Sequence, residues 1–132
     1  MNIDELLEEA RASLQRFTPE EAERATGSGA LLVDMRPIEQ RARDGEIAGA
    51  LIIDRNVLEW RLDPQSAHRV PEIRSSDDAV ILFCDEGYAS SLAAATLQQL
   101  GLHRATDMIG GFQAWRAAGL PTAPASGNQN PT

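Results

Sequence analysis

The chain alternates short segments rich in apolar residues with segments of helical periodicity, and this alternation limits the folds open to it. The apolar segments lie at 30–34, 50–53, 79–83 and 105–109, each of strand length. Between them, apolar residues recur three and four positions apart, as in amphipathic helices. Because strands that are apolar throughout are buried on both faces, we predict an α/β fold with a parallel sheet covered by helices on both sides.

Length and composition predict one domain with a short extension at each end. A chain of 132 residues can bury a core, and its apolar and charged fractions are ordinary for a globular protein. Residues 1–15 place apolar side chains at helical spacing and are expected to form an N-terminal helical extension. Residues 16–121 form the domain, and residues 122–132, rich in proline, serine, glycine and asparagine, are expected to be a disordered tail.

Charge and cysteine usage limit the partners and the compartment. The net charge of −8 disfavours nucleic acid and anionic membranes, which need a basic face. No apolar run reaches the length of a membrane span, and the acidic N-terminus does not fit a secretory signal. A single cysteine excludes an internal disulfide and fits a reducing compartment, so we expect a cytoplasmic protein. The two histidines lack a partner at metal-ligand spacing, so no metal is expected.

The single cysteine, Cys84, stands where a predicted strand ends and a loop begins. A helical pattern starts at Ser90, after the loop residues Asp85, Glu86, Gly87, Tyr88 and Ala89. Such a loop directs backbone N–H groups inward, and the helix N-terminus adds partial positive charge. Both features favour an anion, so Cys84 is a candidate nucleophile that ionises more readily than an ordinary thiol. The alternative is a small buried apolar side chain.

Each loop residue has an expected role. Backbone N–H groups from about Asp85 to Ser90 should point at the sulfur, and Gly87 should permit the turn that this needs. Ser90 is expected to cap a helix starting at 91, and its hydroxyl could also reach the sulfur. Tyr88 is expected at the entrance, with plain surface exposure as the alternative.

Polar side chains also follow two other strand ends. Asp34 and Arg36 are expected to form a structural pair that fixes neighbouring loops by two hydrogen bonds. Arg55 and Arg61 are candidate cations near the site, with a solvated surface position as the alternative. The two tryptophans lie at apolar-face spacing and are expected in the core.

Four short stretches carry a family resemblance: Leu32-Val33-Asp34-Met35-Arg36, Gly45-Glu46-Ile47-Ala48-Gly49-Ala50, Cys84-Asp85-Glu86-Gly87-Tyr88-Ala89-Ser90-Ser91 and Gly110-Gly111-Phe112-Gln113-Ala114-Trp115. In this order they resemble the rhodanese-like (sulfurtransferase) domain over about residues 16–121. The resemblance implies a three-layer α/β fold with a parallel five-stranded sheet. It also implies a loop that cradles a persulfide on Cys84.

The implied function is the movement of a sulfane sulfur through that persulfide. The donor would be a small molecule or a protein and the acceptor a thiol or a cyanide-type nucleophile, with no cofactor and no metal. Family members that use thiosulfate often carry basic loop residues, with arginine common where Ala89 stands. Because Asp85 and Glu86 are acidic, we predict that thiosulfate is a poor donor.

Two other functions use the same fold. A phosphatase or arsenate reductase usually needs an arginine six residues after the cysteine to bind an oxyanion, and Ser90 stands there. A noncatalytic binding or regulatory module would keep the fold without the chemistry. The intact cysteine favours an enzyme, whereas the acidic loop and the N-terminal helix fit a module. The sequence makes no prediction of the oligomeric state.

Overall fold

The structure, a computed structural model, describes residues 1–126. Within that range the helices and strands alternate as the apolar pattern predicts. In chain order they are α1 (Ile3–Ala12), α2 (Pro19–Gly27), β1 (Leu31–Asp34), α3 (Ile38–Asp44), β2 (Leu51–Ile52), a 3₁₀ helix (Arg55–Val57), α4 (Leu58–Leu62), β3 (Val80–Phe83), α5 (Ala89–Gln99), β4 (Ala105–Asp107) and α6 (Gly111–Ala117). Among these helices, none is both long and apolar enough to cross a membrane.

The strands form a parallel sheet in the order β2-β1-β3-β4, so the prediction of a parallel α/β fold is confirmed. The prediction of five strands is wrong, because the sheet has four among the described residues. Beside β4 there is a single parallel bridge between Phe17 and Met108. The chain leaves the sheet after this one residue because Thr18 caps α2 in a capping box with Glu21.

The central strand β3 shows why its sequence is apolar throughout. Val80 and Leu82 belong to one core cluster, together with residues of α4 and α5. Ile81 and Phe83 belong to a second cluster, with residues of α2 and α6. Successive strand residues therefore face opposite layers, and helices cover both sides of the sheet. The buried β3 delivers Cys84 to the carboxyl edge of the sheet.

The predicted N-terminal extension contains α1, which packs against α5. A capping box between Asn2 and Glu5 begins the helix. Beyond its end, the chain is tied to the domain by two side chains: Gln98 donates to the Ser13 carbonyl at 3.1 Å, and Thr106 donates to the Gln15 carbonyl at 2.9 Å. The extension is therefore docked on the domain.

The boundary predicted for the disordered tail, residue 122, is too early, because the next few residues still contact the domain. Ala123 pairs with Glu46 in an antiparallel bridge through two N–H···O bonds of 2.7 Å. The Ser126 N–H donates to the Glu46 carboxylate at 3.0 Å. Burial alone would raise the pKa of Glu46, but the hydrogen bonds from Arg41 and Ser126 outweigh it, and the pKa lies below its usual value. Residues 127–132 of the predicted tail lie outside the described residues.

Candidate active site

Cys84 lies at the bottom of a loop whose backbone N–H groups converge on its sulfur. The Gly87 N–H donates to Sγ at 3.2 Å and the Ser90 N–H at 3.4 Å. The cysteine is 9% exposed, so it is buried but reaches the surface. Two N–H donors aimed at one sulfur, next to the N-terminus of α5, stabilise negative charge there. The predicted order of strand, loop and helix is therefore present around Cys84, but of the N–H groups predicted to point at the sulfur, those of Gly87 and Ser90 are the ones that donate to it among the described residues.

Two glycines permit this loop. Gly87 has a φ of +89°, and a Cβ there would lie 2.8 Å from the Gly110 nitrogen. Gly111 has a φ of +61°, and a Cβ there would lie 2.5 Å from the Cys84 carbonyl oxygen. The close approach lets the Phe112 N–H donate to that same carbonyl at 2.9 Å, so the N-terminus of α6 anchors the start of the loop.

The sulfur borders a cavity of about 400 Å³ at the carboxyl edge of the sheet. The candidate cation Arg55 lines it, whereas Arg61 does not: its guanidinium donates to the His68 carbonyl at 2.8 Å. Tyr88 is 60% exposed and lines the cavity, as predicted for an entrance residue. The full lining is Met35, Arg36, Pro37, Gln40, Arg55, Cys84, Asp85, Glu86, Tyr88 and Ala89.

The two loop acids differ in their surroundings. Asp85 accepts a hydrogen bond from Gln113 at 2.9 Å and lies 3.6 Å from the Arg43 guanidinium. Gln113 also donates to Asp44 at 2.9 Å. The hydrogen bond from Arg43 lowers the pKa of Asp44 to about 2, and the Gln113 bond adds to this effect, so Asp44 stays ionised and holds Gln113 in place. Glu86 is exposed, and no described side chain pairs with it.

The expected roles of the Ser90 hydroxyl are wrong. The helix α5 begins at Ala89, Tyr88 occupies the cap position, and no side-chain cap is present. Ser90 is fully buried, and its hydroxyl donates to the Asp107 carboxylate at 2.7 Å rather than to the sulfur. Ser90 therefore contributes to the site through its backbone N–H.

Two arginines reach the loop from residues 1–17, which we call the N-terminal segment. Arg16 donates to both oxygens of Asp107, at 2.8 and 3.2 Å, and to the Gly87 carbonyl at 3.2 Å. Arg11, from α1, donates to the same carbonyl at 2.7 Å. Neither contact can be predicted from the sequence, because nothing local to Arg11 or Arg16 marks a partner that is 71 to 76 residues away.

Asp34 and Arg36 form the structural pair that the sequence predicts. The Arg36 Nε and Nη2 donate to the two carboxylate oxygens at 3.0 and 2.8 Å, and Nη2 also donates to the Gly45 carbonyl at 2.8 Å. Both side chains are buried, and the guanidinium carbon lies 3.9 Å from the centre of the Phe112 ring. Within residues 1–126, no group of three histidine, cysteine or acidic side chains is placed to hold a metal ion.

A parallel α/β sheet with a cysteine in an N–H loop at its central strand end defines a class of cysteine-dependent domains. The rhodanese-like domain model matches residues 18–118, so the chain belongs to the rhodanese-like domain family. The resemblance seen in the sequence is thereby confirmed. Thiosulfate sulfurtransferase GlpE of Ectopseudomonas mendocina is 30% identical over 118 residues, covering 89% of this chain and 98% of that protein. A sulfurtransferase of Allochromatium vinosum is 35% identical over 91 residues, 69% of this chain and 76% of its own length.

Solved structures show the same fold. A Rhodopseudomonas palustris protein of unknown function, described as a possible tyrosine phosphatase, superposes with a TM-score of 0.83 at 35% identity, covering 92% of this chain and 94% of that one. The polysulfide-sulfur transferase homodimer of Wolinella succinogenes superposes with a TM-score of 0.68 at 22% identity, covering 94% and 88%. At that lower identity, the second likeness concerns the fold alone.

Proposed function

We propose that this protein is a sulfurtransferase that carries a sulfane sulfur as a persulfide on Cys84. The observation that carries the proposal is the pair of N–H donors on Sγ at the edge of an open cavity. The relatives named sulfurtransferases support the activity class. We place the donor and acceptor, small molecules or proteins, in the cavity above Cys84, and the single cysteine favours a cytoplasmic location.

The reaction proceeds in two balanced steps. The Cys84 thiolate attacks the outer sulfur of a donor such as thiosulfate; a new S–S bond forms, the donor's S–S bond breaks, and sulfite leaves with the electron pair. The acceptor, for example cyanide, then attacks the outer persulfide sulfur; thiocyanate leaves and the Cys84 thiolate returns. Negative charge stays beside the sulfur atoms throughout, so the Gly87 and Ser90 N–H groups stabilise the nucleophile and the persulfide alike.

A phosphatase function is the weaker alternative, although one structural relative is described as a possible tyrosine phosphatase. An oxyanion site would need a cation facing the loop from the cavity. The residue six positions after Cys84 is Ser90, whose hydroxyl is bonded to Asp107. Both arginines that line the cavity are already paired: Arg36 with Asp34 and Arg55 with Glu59, each at 2.8 Å. These contacts favour sulfur chemistry over phosphate binding.

Mass spectrometry tests the proposed function. The purified protein is treated with thiosulfate or with polysulfide, and the intact mass is measured before and after cyanide is added. We expect a gain of one sulfur atom on the Cys84 peptide and its loss to cyanide as thiocyanate. A protein that gains no sulfur from either donor would be a noncatalytic module, and hydrolysis of p-nitrophenyl phosphate without sulfur uptake would favour the phosphatase.

The loop acids should weaken the use of thiosulfate, and Glu86 should do so more than Asp85. We expect Glu86→Gln to raise kcat/KM for thiosulfate about threefold to tenfold, because an exposed, unpaired carboxylate repels the dianion by on the order of 1 kcal/mol. Asp85→Asn is the matched control and should change it less, because Gln113 and Arg43 hold that carboxylate. The measurement is kcat/KM from steady-state rates at low and high salt. High salt should reduce the increase in kcat/KM that Glu86→Gln produces, because it screens the charges.

The relatives named thiosulfate sulfurtransferases support thiosulfate as one donor, so the size of this effect is informative. An uncharged or cationic donor should show no gain in Glu86→Gln. If thiosulfate is used efficiently by the wild type and neither substitution changes kcat/KM, the two carboxylates do not act on the donor.

A further inference from the structure

The Gly87 carbonyl accepts hydrogen bonds from two guanidinium groups. Arg11 Nη2 donates at 2.7 Å and Arg16 Nη2 at 3.2 Å. The N–H of this same glycine donates to the Cys84 sulfur at 3.2 Å. Fixing the carbonyl therefore fixes the orientation of the residue whose N–H lies against the nucleophile.

The two arginines are themselves held in place. Arg11 Nε donates to the Ser91 hydroxyl at 3.0 Å, and its guanidinium carbon lies 5.6 Å from the centre of the Tyr88 ring. Ser91 donates to Asp107 at 2.7 Å, and Arg16 forms two bonds to that carboxylate. The network connects α1, the loop, α5 and β4, so each guanidinium group is held by contacts with at least two residues.

Arg11 and Arg16 bring positively charged groups to a loop that has none of its own. The loop's own charged residues are the acids Asp85 and Glu86, which oppose a thiolate at Cys84. Arg11 and Arg16 bring two guanidinium groups to the opposite side of the same loop. Both precede residue 18, where the match to the family model begins. Because Arg16 is paired with the buried Asp107, the net positive charge comes from Arg11, whereas both arginines add hydrogen bonds to a site that the matched region builds.

We propose that Arg11 is a positioning residue for Cys84: by binding the Gly87 carbonyl, it holds the N–H loop and brings positive charge that favours the thiolate. The proposal deepens the proposed function and rests on it for its catalytic meaning. In this proposal, the packing of α1 against α5 places Arg11 within hydrogen-bond distance of the active-site loop. Loss of Arg11 should make Cys84 ionise at higher pH and react more slowly at neutral pH.

The pH profile of Cys84 depends on all the charged and titratable groups that line the cavity or contact the loop, and Arg11 is one of them. They come from the loop, from the segments after β1 and β2, from the N-terminal segment and from β4. They are Asp85, Glu86, Tyr88, Arg36, Arg55, Arg11, Arg16 and Asp107. Arg11 is the informative one to change, because Arg16 also neutralises the buried Asp107, and its loss would leave that carboxylate without its ion pair.

The test is the pH dependence of alkylation of Cys84 by iodoacetamide, in which the thiolate displaces iodide and no sulfur donor is needed. We expect Arg11→Gln to raise the midpoint pH by about half a unit and to slow alkylation at neutral pH about threefold. Arg11→Met, a second neutral variant, should do the same. Arg11→Lys should recover part of the shift, since it keeps the charge but not the fork that binds both Gly87 and Ser91.

Arg24→Gln is the matched control, because it removes one exposed arginine from α2 and should leave the midpoint unchanged. Thermal unfolding shows whether each variant is folded. An unchanged midpoint in the folded neutral variants, even with lowered stability, would show that Arg11 only tethers α1 and would overturn the proposal.

Sulfur uptake from polysulfide is measured in the same variants, so that the two proposals can fail separately. A raised midpoint with no sulfur uptake by the wild type would support the positioning role and reject the sulfurtransferase. If the wild type takes up sulfur but the midpoint is unshifted in Arg11→Gln and Arg11→Met, the sulfurtransferase is supported and the positioning role of Arg11 is rejected.

Discussion

The Cys84→Ser variant should lose sulfur transfer by at least about a thousandfold, the order expected when an enzyme loses its nucleophile. A serine hydroxyl does not ionise near neutral pH, so it can neither attack a sulfane sulfur nor carry a persulfide. Cys84 is also the single cysteine of the chain, so no second thiol can take over. The measurement is the rate of thiocyanate formation with cyanide as acceptor, using whichever of thiosulfate and polysulfide the wild type uses faster.

The loss should occur without unfolding, which makes the result specific to the chemistry. Serine is close in size to cysteine, and its oxygen can accept from the Gly87 and Ser90 N–H groups that now donate to Sγ. The free energy of unfolding should therefore change by no more than about 1 kcal/mol. A variant that is folded and still transfers sulfur within tenfold of the wild type would contradict the assignment of Cys84.

Local signals in the sequence predict most of what positions the site. The apolar run before Cys84 predicts β3 because a strand buried on both faces has no polar face to show, and the core clusters on either side confirm it. The sequence Thr18-Pro19-Glu20-Glu21 predicts the start of α2 because each part of a capping box has its own residue type, and the box is present.

Features that depend on tertiary contacts could not be predicted in this way. Ser90 fits the pattern of a cap, but its hydroxyl binds Asp107, which is 17 residues further along the chain. Trp60 is 59% exposed instead of buried, because α4 is five residues long and too short for a reliable apolar face. The fifth strand that the family resemblance implies is absent among the described residues, where Phe17 forms one bridge before the helix cap at Thr18.

The cations of the site illustrate the same limit. Arg55 and Arg61 are the sequence candidates for a cation near the site because the loop itself lacks one, and the structure brings only Arg55 of the two to the cavity. Arg11 lies in the extension whose apolar spacing predicts a helix, and Arg16 directly follows it, but that spacing does not identify the loop that both contact. The periodicity of apolar residues predicts which face of a helix is buried. It does not predict which loop the polar side chains beside that face will contact.

The Arg36→Met variant should have the largest effect on stability of the changes considered, lowering the free energy of unfolding by about 3–5 kcal/mol. Methionine fills much of the arginine's volume but leaves the Asp34 carboxylate, which is 0% exposed, without its ion pair. It also removes the hydrogen bond to the Gly45 carbonyl and the contact with the Phe112 ring. Urea unfolding followed by fluorescence gives the free energy.

Matched variants separate the lost pairing from the lost volume. Arg55→Met breaks a partly exposed pair with Glu59 and should cost no more than about 1 kcal/mol. Arg36→Lys keeps the charge but cannot form two bonds to Asp34 in a fork, so its loss should be intermediate. The double variant Asp34→Asn/Arg36→Met removes both charges and should be more stable than the sum of the single losses predicts. If instead Arg36→Met costs less than Arg55→Met, or the double variant is strictly additive, the buried pair does not hold the strand ends together.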